Sequence, residues 1–141
     1  PLHFVRSNFP VPSPTSAITI SGAVNAPATV TLDELRNLPA VALTVTLECA
    51  GNGRVRFQPL PEGEPWTGQA VGTARWAGVR LADVLKLTCL HDDAVEVTFT
   101  GGDGGEYKGN HDVEFTRSLP LEFALRPEHD VLLAYAMNDE P

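Results

Sequence analysis

The sequence predicts an α+β domain, a mixed sheet with short helices outside it. Three observations carry that expectation. Short apolar runs of strand character recur at 17–24, 41–49, 95–100 and 131–137. Brief helical patterns fall between them, after Thr31, over 79–87 and over 119–125. No apolar run approaches membrane-spanning length, and 141 residues suffice for one domain with a real core. The chain shows no internal repeat and no linker, so residues 1–141 read as one unit.

Taken in order, the first fifteen residues are proline-rich and read as an extended run over a surface. Residues 17–24 alternate, with Ile18 and Ile20 on one face. Thr31, Leu32, Asp33 and Glu34 form a capping-box pattern opening a short helix that Pro39 closes. The strand 41–49 then leads into a long irregular stretch to about Gly78, a length that inside a compact domain signals function. The 79–87 helix should turn Leu81, Val84 and Leu85 inward, with Cys89 in the core behind it. After the 95–100 strand, Gly101, Gly102, Asp103, Gly104 and Gly105 read as a flexible turn. Pro120 belongs to the first turn of the 119–125 helix, and 131–137 is a last buried strand.

Composition narrows the function. Hydrophobic residues make 43% of the chain and charged residues 20%, as in an ordinary globular protein. A net charge of -8 argues against nucleic acid, whose phosphates need a basic footprint, but leaves room for a small anion at a local arginine. Two cysteines make no disulfide framework, and no Cys-x-x-Cys or histidine cluster suggests zinc or attached haem. The chain starts at Pro1 with no visible signal peptide, which leaves localisation open: periplasmic for an exported bacterial protein, cytoplasmic otherwise.

The chemistry concentrates where the 41–49 strand ends, in Glu48, Cys49, Ala50, Gly51, Asn52, Gly53 and Arg54. A lone cysteine is more often packing than a ligand. Here its loop is rich in glycine, which lets amides approach a ligand, and Arg54 would favour a thiolate. Two further runs accompany it: Phe4, Val5, Arg6, Ser7, Asn8, Phe9 and Pro10 before it, and Trp66, Thr67, Gly68, then Ala74, Arg75, Trp76, Ala77 and Gly78 after it. In this order the motifs resemble the molybdopterin-binding domain of the sulfite oxidase family, from about Phe4 to the closing Leu132, Leu133, Ala134, Tyr135, Ala136, Met137 and Asn138.

The resemblance implies a sulfite-oxidase-like fold and a molybdenum-molybdopterin cofactor with Cys49 as the metal's protein ligand. A single soft thiolate suits such a centre, where zinc would demand more ligands. It implies pterin contacts from Phe4, Arg6, Ser7, Asn8 and Asp103. The family run is Phe-x-Arg-Asn-His, and Ser7 and Asn8 depart from it while remaining hydrogen-bonding groups. Arg6 matches the arginine that faces the substrate oxyanion, and Trp66 a tryptophan of the substrate pocket. Read without the resemblance, Arg6 is a solvated arginine, Trp66 a core aromatic and Asp103 a turn residue. Glu62 stands where some members carry a pocket lysine, which weakens the positive field. Tyr135 takes no catalytic role, because the family's catalytic tyrosine lies in a later motif.

In the family the last strand continues into further cofactor contacts, whereas this chain reads Asp139, Glu140 and Pro141. The expectation is therefore the first part of a longer domain, incomplete at the carboxyl end and dependent on the remainder beyond Pro141, with the activity of the fragment alone and a homodimer left open. The function implied is oxygen-atom transfer to sulfite or a related sulfur oxyanion, with electrons leaving to an acceptor such as a cytochrome. The alternatives are a nitrate-reductase-like or sulfane-dehydrogenase relative, or a non-catalytic scaffold that binds a partner. An intact Cys49 favours an enzyme, since a scaffold has no need of a thiol there.

Overall fold

In the computed structural model, which describes residues 3–141, the α+β class holds and the strands divide among three small antiparallel sheets. Strand β1 (Ala17–Ile20) pairs with β2 (Ala28–Thr31), matching Ile18 to Val30. β3 (Ala40–Glu48) pairs with β4 (Val71–Arg80), and β4 with β7 (Leu132–Met137). The hairpin β5 (Glu96–Tyr107) and β6 (Asn110–Pro120) makes the third sheet. Helices α1 (Leu32–Arg36), α2 (Leu81–Leu85) and α3 (Leu121–Leu125) are single turns or little more.

Two apolar clusters hold these pieces together. Val30, Leu35, Val79 and Val84 form one, with Ile18, Ile20 and Leu133 against it. Leu81, Leu85 and Ala124 form the other, with Ile20, Val97 and Phe99 against it. Ile20 belongs to both, so the expected inward face of the first strand is where the sheets meet. Burying such side chains is the main favourable term in folding, at about 1.5–3 kcal/mol for each large one.

The sequence expectation needs correction at several elements. The first strand ends at Ile20, four residues early, where the chain bends through Gly22. The stretch before Gly78 is not irregular throughout: β4 fills its last third, its alternation hidden by Gly72, Thr73 and Ala74. The helix expected over 79–87 is only α2, because Val79 and Arg80 still belong to β4. Residues 101–105 are not a turn but lie inside β5, with the register irregularity between Thr100 and Gly104 absorbing them. The chain reverses instead at Lys108 and Gly109, both at positive φ (52 and 79), the conformation a two-residue hairpin turn demands. Pro120 caps α3 from the end of β6 and is not in its first turn. Cys89 is exposed and left-handed (φ 51); the neighbouring Thr88 is buried in its place, its hydroxyl donating to the Leu85 carbonyl. The last strand is mostly half-buried, not buried.

The capping box forms as expected. The Glu34 amide donates to Thr31 Oγ1 at 3.2 Å, and the Thr31 amide donates to Glu34 Oε2 at 2.8 Å. The bonds from the Thr31 backbone and hydroxyl hold the Glu34 carboxyl below its ordinary value. A depressed folded pKa adds stability above the unfolded value, and that contribution disappears as pH falls through the folded one. Thr31→Ala should therefore cost about 1 kcal/mol near neutrality. The gap between variant and parent in chemical denaturation should narrow at acid pH, below the usual carboxylate range.

Candidate functional site

Cys49 sits one residue past β3, and its amide still donates to the Ala70 carbonyl at 2.8 Å, one ladder step beyond the last strand pair. The thiol is half-buried, and the Gly51 amide donates to Sγ at 3.4 Å. Turning sharply, the chain bonds the Asn52 amide to the Cys49 carbonyl at 2.8 Å. The Asn52 side chain braces the turn on both sides: Nδ2 donates to Glu48 Oε1 at 2.8 Å, and Oδ1 accepts from the Ala70 amide at 3.0 Å. Cys49 is thus carried on a tied loop, as a positioned ligand requires.

The hydrogen bonds of Arg54 go to the far loop. Its Nη1 donates to the Glu62 carbonyl at 2.7 Å and its Nε to the Glu64 carbonyl at 3.1 Å. The guanidinium passes so close to Gly51 and Gly63 that a Cβ on either would stand 2.5 and 2.9 Å from it. Gly63 also takes a positive φ of 120, which favours glycine there, and Arg54 staples the far loop to the thiol loop. Asn52 and Arg54 thereby brace the site, a structural role that the sequence pattern did not assign to them.

Trp66 joins the same assembly, its carbonyl accepting from the Val55 amide at 3.3 Å. Phe4 meets it edge-to-face at 6.3 Å between ring centroids. Trp66 is half-buried, and its indole nitrogen is buried without a hydrogen-bond partner among the described residues. An orphaned buried donor is costly, and a bound polar group would relieve it. Phe4, Trp66 and the Cys49 loop are therefore brought together.

The rest of the amino-terminal run reaches the other sheet. Phe9 is buried and packs edge-to-face on Tyr107 at 6.4 Å, with its ring 3.6 Å from where a Cβ on Gly105 would stand. Pro12 lies equally close to Gly102. This run bridges the thiol loop and the glycine-rich part of β5 that carries the half-buried Asp103. Between those anchors Arg6, Ser7 and Asn8 are exposed. Arg6 Nη1 donates to the Ser7 carbonyl at 2.8 Å, and Ser7 Oγ donates to the Phe9 carbonyl at 2.7 Å. The structure records no contact between Asp103 and Cys49.

Glu62 is answered by a cation from another element. Lys108, at the β5–β6 tip, places Nζ 2.7 Å from Glu62 Oε1. That hydrogen bond and the opposite charge hold the Glu62 carboxyl below its ordinary value and lift Lys108 above its own. Both side chains are well exposed, so the pair contributes little to stability. Among the described residues no three histidine, cysteine or carboxylate side chains gather into a metal cage, and no helix is long and apolar enough to cross a membrane. A thiolate from Cys49 would have to serve as a lone protein ligand.

Comparison with known proteins agrees with this architecture. A family model described as an oxidoreductase molybdopterin binding domain matches residues 8–141. Mitochondrial sulfite oxidase of Homo sapiens is 38% identical over 149 aligned residues, which cover 100% of this chain and 27% of that protein. An NADH nitrate reductase of Hordeum vulgare is 36% identical over 151, covering 100% of the chain and 16% of that protein. The chain thus spans about a quarter or less of these relatives. The crystal structure of the sulfane dehydrogenase SoxCD from Paracoccus pantotrophus shares the fold, with a TM-score of 0.66 and 24% identity over 88% of this chain and 29% of that one.

Proposed function

From the chain's membership of the oxidoreductase molybdopterin-binding domain family, we propose that it is the thiolate-bearing part of a molybdenum enzyme that oxidises sulfite or a related sulfur oxyanion by oxygen-atom transfer. The observation that carries this reading is the half-buried Cys49 on its tied loop, with Trp66 joined to the following residues through the Val55 amide and its indole nitrogen without a partner among the described residues. A soft sulfur donor and an unsatisfied N–H are the groups that a metal-pterin centre and its anionic substrate would use. When bound, the molybdenum cofactor supplies the two-electron redox chemistry.

The chain's own residues do the rest. Cys49 would give its thiolate to the metal, and the braces from Asn52 and Arg54 fix where that sulfur stands. Phe4, Ser7 and Asn8 would hold the pterin, from a run anchored through Phe4 on Trp66 and through Phe9 on Tyr107, with Asp103 of β5 as a further contact. Arg6 would meet the oxyanion with its planar fork, and Trp66 would add an indole donor. With Glu62 paired to Lys108, the carboxylate repels an incoming anion less than a bare one would. Electrons would leave to a protein acceptor of the cytochrome class, and further chain would complete the cradle.

Nitrate reduction is the second reading, favoured by a nearly equal identity to the barley enzyme. Elemental analysis of the full-length protein should find stoichiometric molybdenum, and steady-state assays should find turnover of sulfite. Turnover of nitrate alone would move the protein to the second reading. A molybdenum-free protein, purified from a host that makes the cofactor, would leave a non-catalytic scaffold.

A further inference from the structure

His3 precedes the motif run and has been given no role, yet it makes the most specific contacts at that end of the chain. Its ring stacks on Phe4 at 4.9 Å with an interplanar angle of 25°, and meets Trp76 edge-on at 5.9 Å and 82°. Nδ1 donates to the Phe4 carbonyl at 3.1 Å. The ring lies directly over β4 at Gly72, where a Cβ would stand 2.8 Å from His3 Cδ2 and 3.0 Å from Nε2. Nε2 and the Trp76 indole nitrogen are both buried without a partner among the described residues. Burying an unpaired nitrogen opposes this placement, so ring packing must set it. Phe4, seated on His3, is in turn the residue that meets Trp66.

We infer that His3 is a positioning residue: its ring, keyed into the slot above Gly72, seats Phe4 on Trp66 and so holds the start of the Arg6 to Asn8 run in place. The slot exists because position 72 lacks a side chain. Gly72 is ordinary strand backbone paired with Leu47, so a methyl group there meets no conformational penalty of the left-handed kind. Its closest collisions are all with the His3 ring. The consequence for catalysis rests on the proposed function, but the seating itself does not.

The test compares His3→Ala, Gly72→Ala and the double variant in the full-length protein, by limited trypsin digestion followed by mass spectrometry. Cleavage after Arg6 reports the run, and cleavage after the exposed Lys86, on the far side of α2, is the internal control. Each single variant should raise the Arg6 rate by about fivefold or more, as expected when a local segment opens without global unfolding. The double variant should be no worse than His3→Ala, because both changes remove one contact. The emission of Trp66 and Trp76, assigned by difference from Trp66→Phe and Trp76→Phe proteins, should shift to longer wavelength as their cover is lost. General loosening would raise cleavage after Lys86 in parallel, and that result would overturn the inference. So would a Gly72→Ala rate within about twofold of the parent, since local opening would then not depend on the slot. Neither readout needs bound molybdenum, so a protein without metal would defeat the proposed function and leave this inference standing or falling separately.

Discussion

Cys49→Ser should abolish sulfite turnover in the full-length protein while leaving its fold and melting temperature nearly unchanged. The fold should survive because the loop is held by groups that the substitution does not touch. The Cys49 amide and carbonyl keep their bonds to Ala70 and Asn52, and the Asn52 and Arg54 braces remain. Only the long Gly51 amide contact to sulfur is replaced, at a half-buried position where no core cavity opens. A change within about 0.5 kcal/mol is expected for such a site. The chemistry should fail because a serine hydroxyl stays protonated near neutral pH and is a hard, poor donor to a metal that takes soft sulfur. Turnover, circular dichroism and metal content on one preparation check this. Parent-like sulfite oxidation by the serine variant would remove Cys49 from the metal's ligand set.

The parts of the fold legible in the sequence were those written in local signals. The Thr31 to Glu34 capping box is a four-residue pattern with one structural meaning, and it forms as read. The strand leading into Cys49 has an unbroken β-branched and apolar run, and it pairs over nine residues with β4. β4 itself was obscured because its small and polar residues lack period-two contrast; what makes it a strand is its place between β3 and β7. Glycines misled in β5, where they read as a turn. Within the hairpin Gly105 takes a positive φ of 151, and a Cβ on Gly104 would stand 2.9 Å from the Val113 carbonyl of the partner strand. Cys89 misled for the opposite reason: an apolar flank suggested burial, but Thr88 takes the buried position and Cys89, at positive φ, is exposed.

The candidate site divides in the same way. Cys49, Trp66 and Phe4 were named from their motifs, and the structure gathers them through contacts between distant parts of the chain. The Arg54 staple, the Asn52 brace and the Lys108 partner of Glu62 depend on which loops come to face one another. Spacing along the sequence carries no record of that. Glu62 shows the difference most plainly, since read alone it is an uncompensated negative charge, whereas the fold supplies its cation from forty-six residues away.

Arg6→Gln should raise the apparent KM for sulfite about tenfold or more, with a smaller change in kcat. In the structure Arg6 is exposed and spends one N–H on the neighbouring Ser7 carbonyl. That local bond exchanges readily, so the fork can turn to an anion without breaking any tertiary contact. A charge-assisted hydrogen bond contributes about 1.5–3 kcal/mol, and a glutamine amide supplies neither the charge nor the parallel pair of donors. Converted to binding, that loss is about tenfold to more than a hundredfold. Because the interaction is made with the anion before reaction, it should weaken binding more than it slows the bound complex. Arg6→Lys separates charge from geometry: it should fall between parent and glutamine, and its KM should rise more steeply with added salt, since a lone ammonium relies on screened attraction. Molybdenum content must match across the three proteins, so that cofactor loss is not mistaken for substrate loss. An unchanged KM at equal metal content would place Arg6 among the solvated surface charges and remove it from the substrate site.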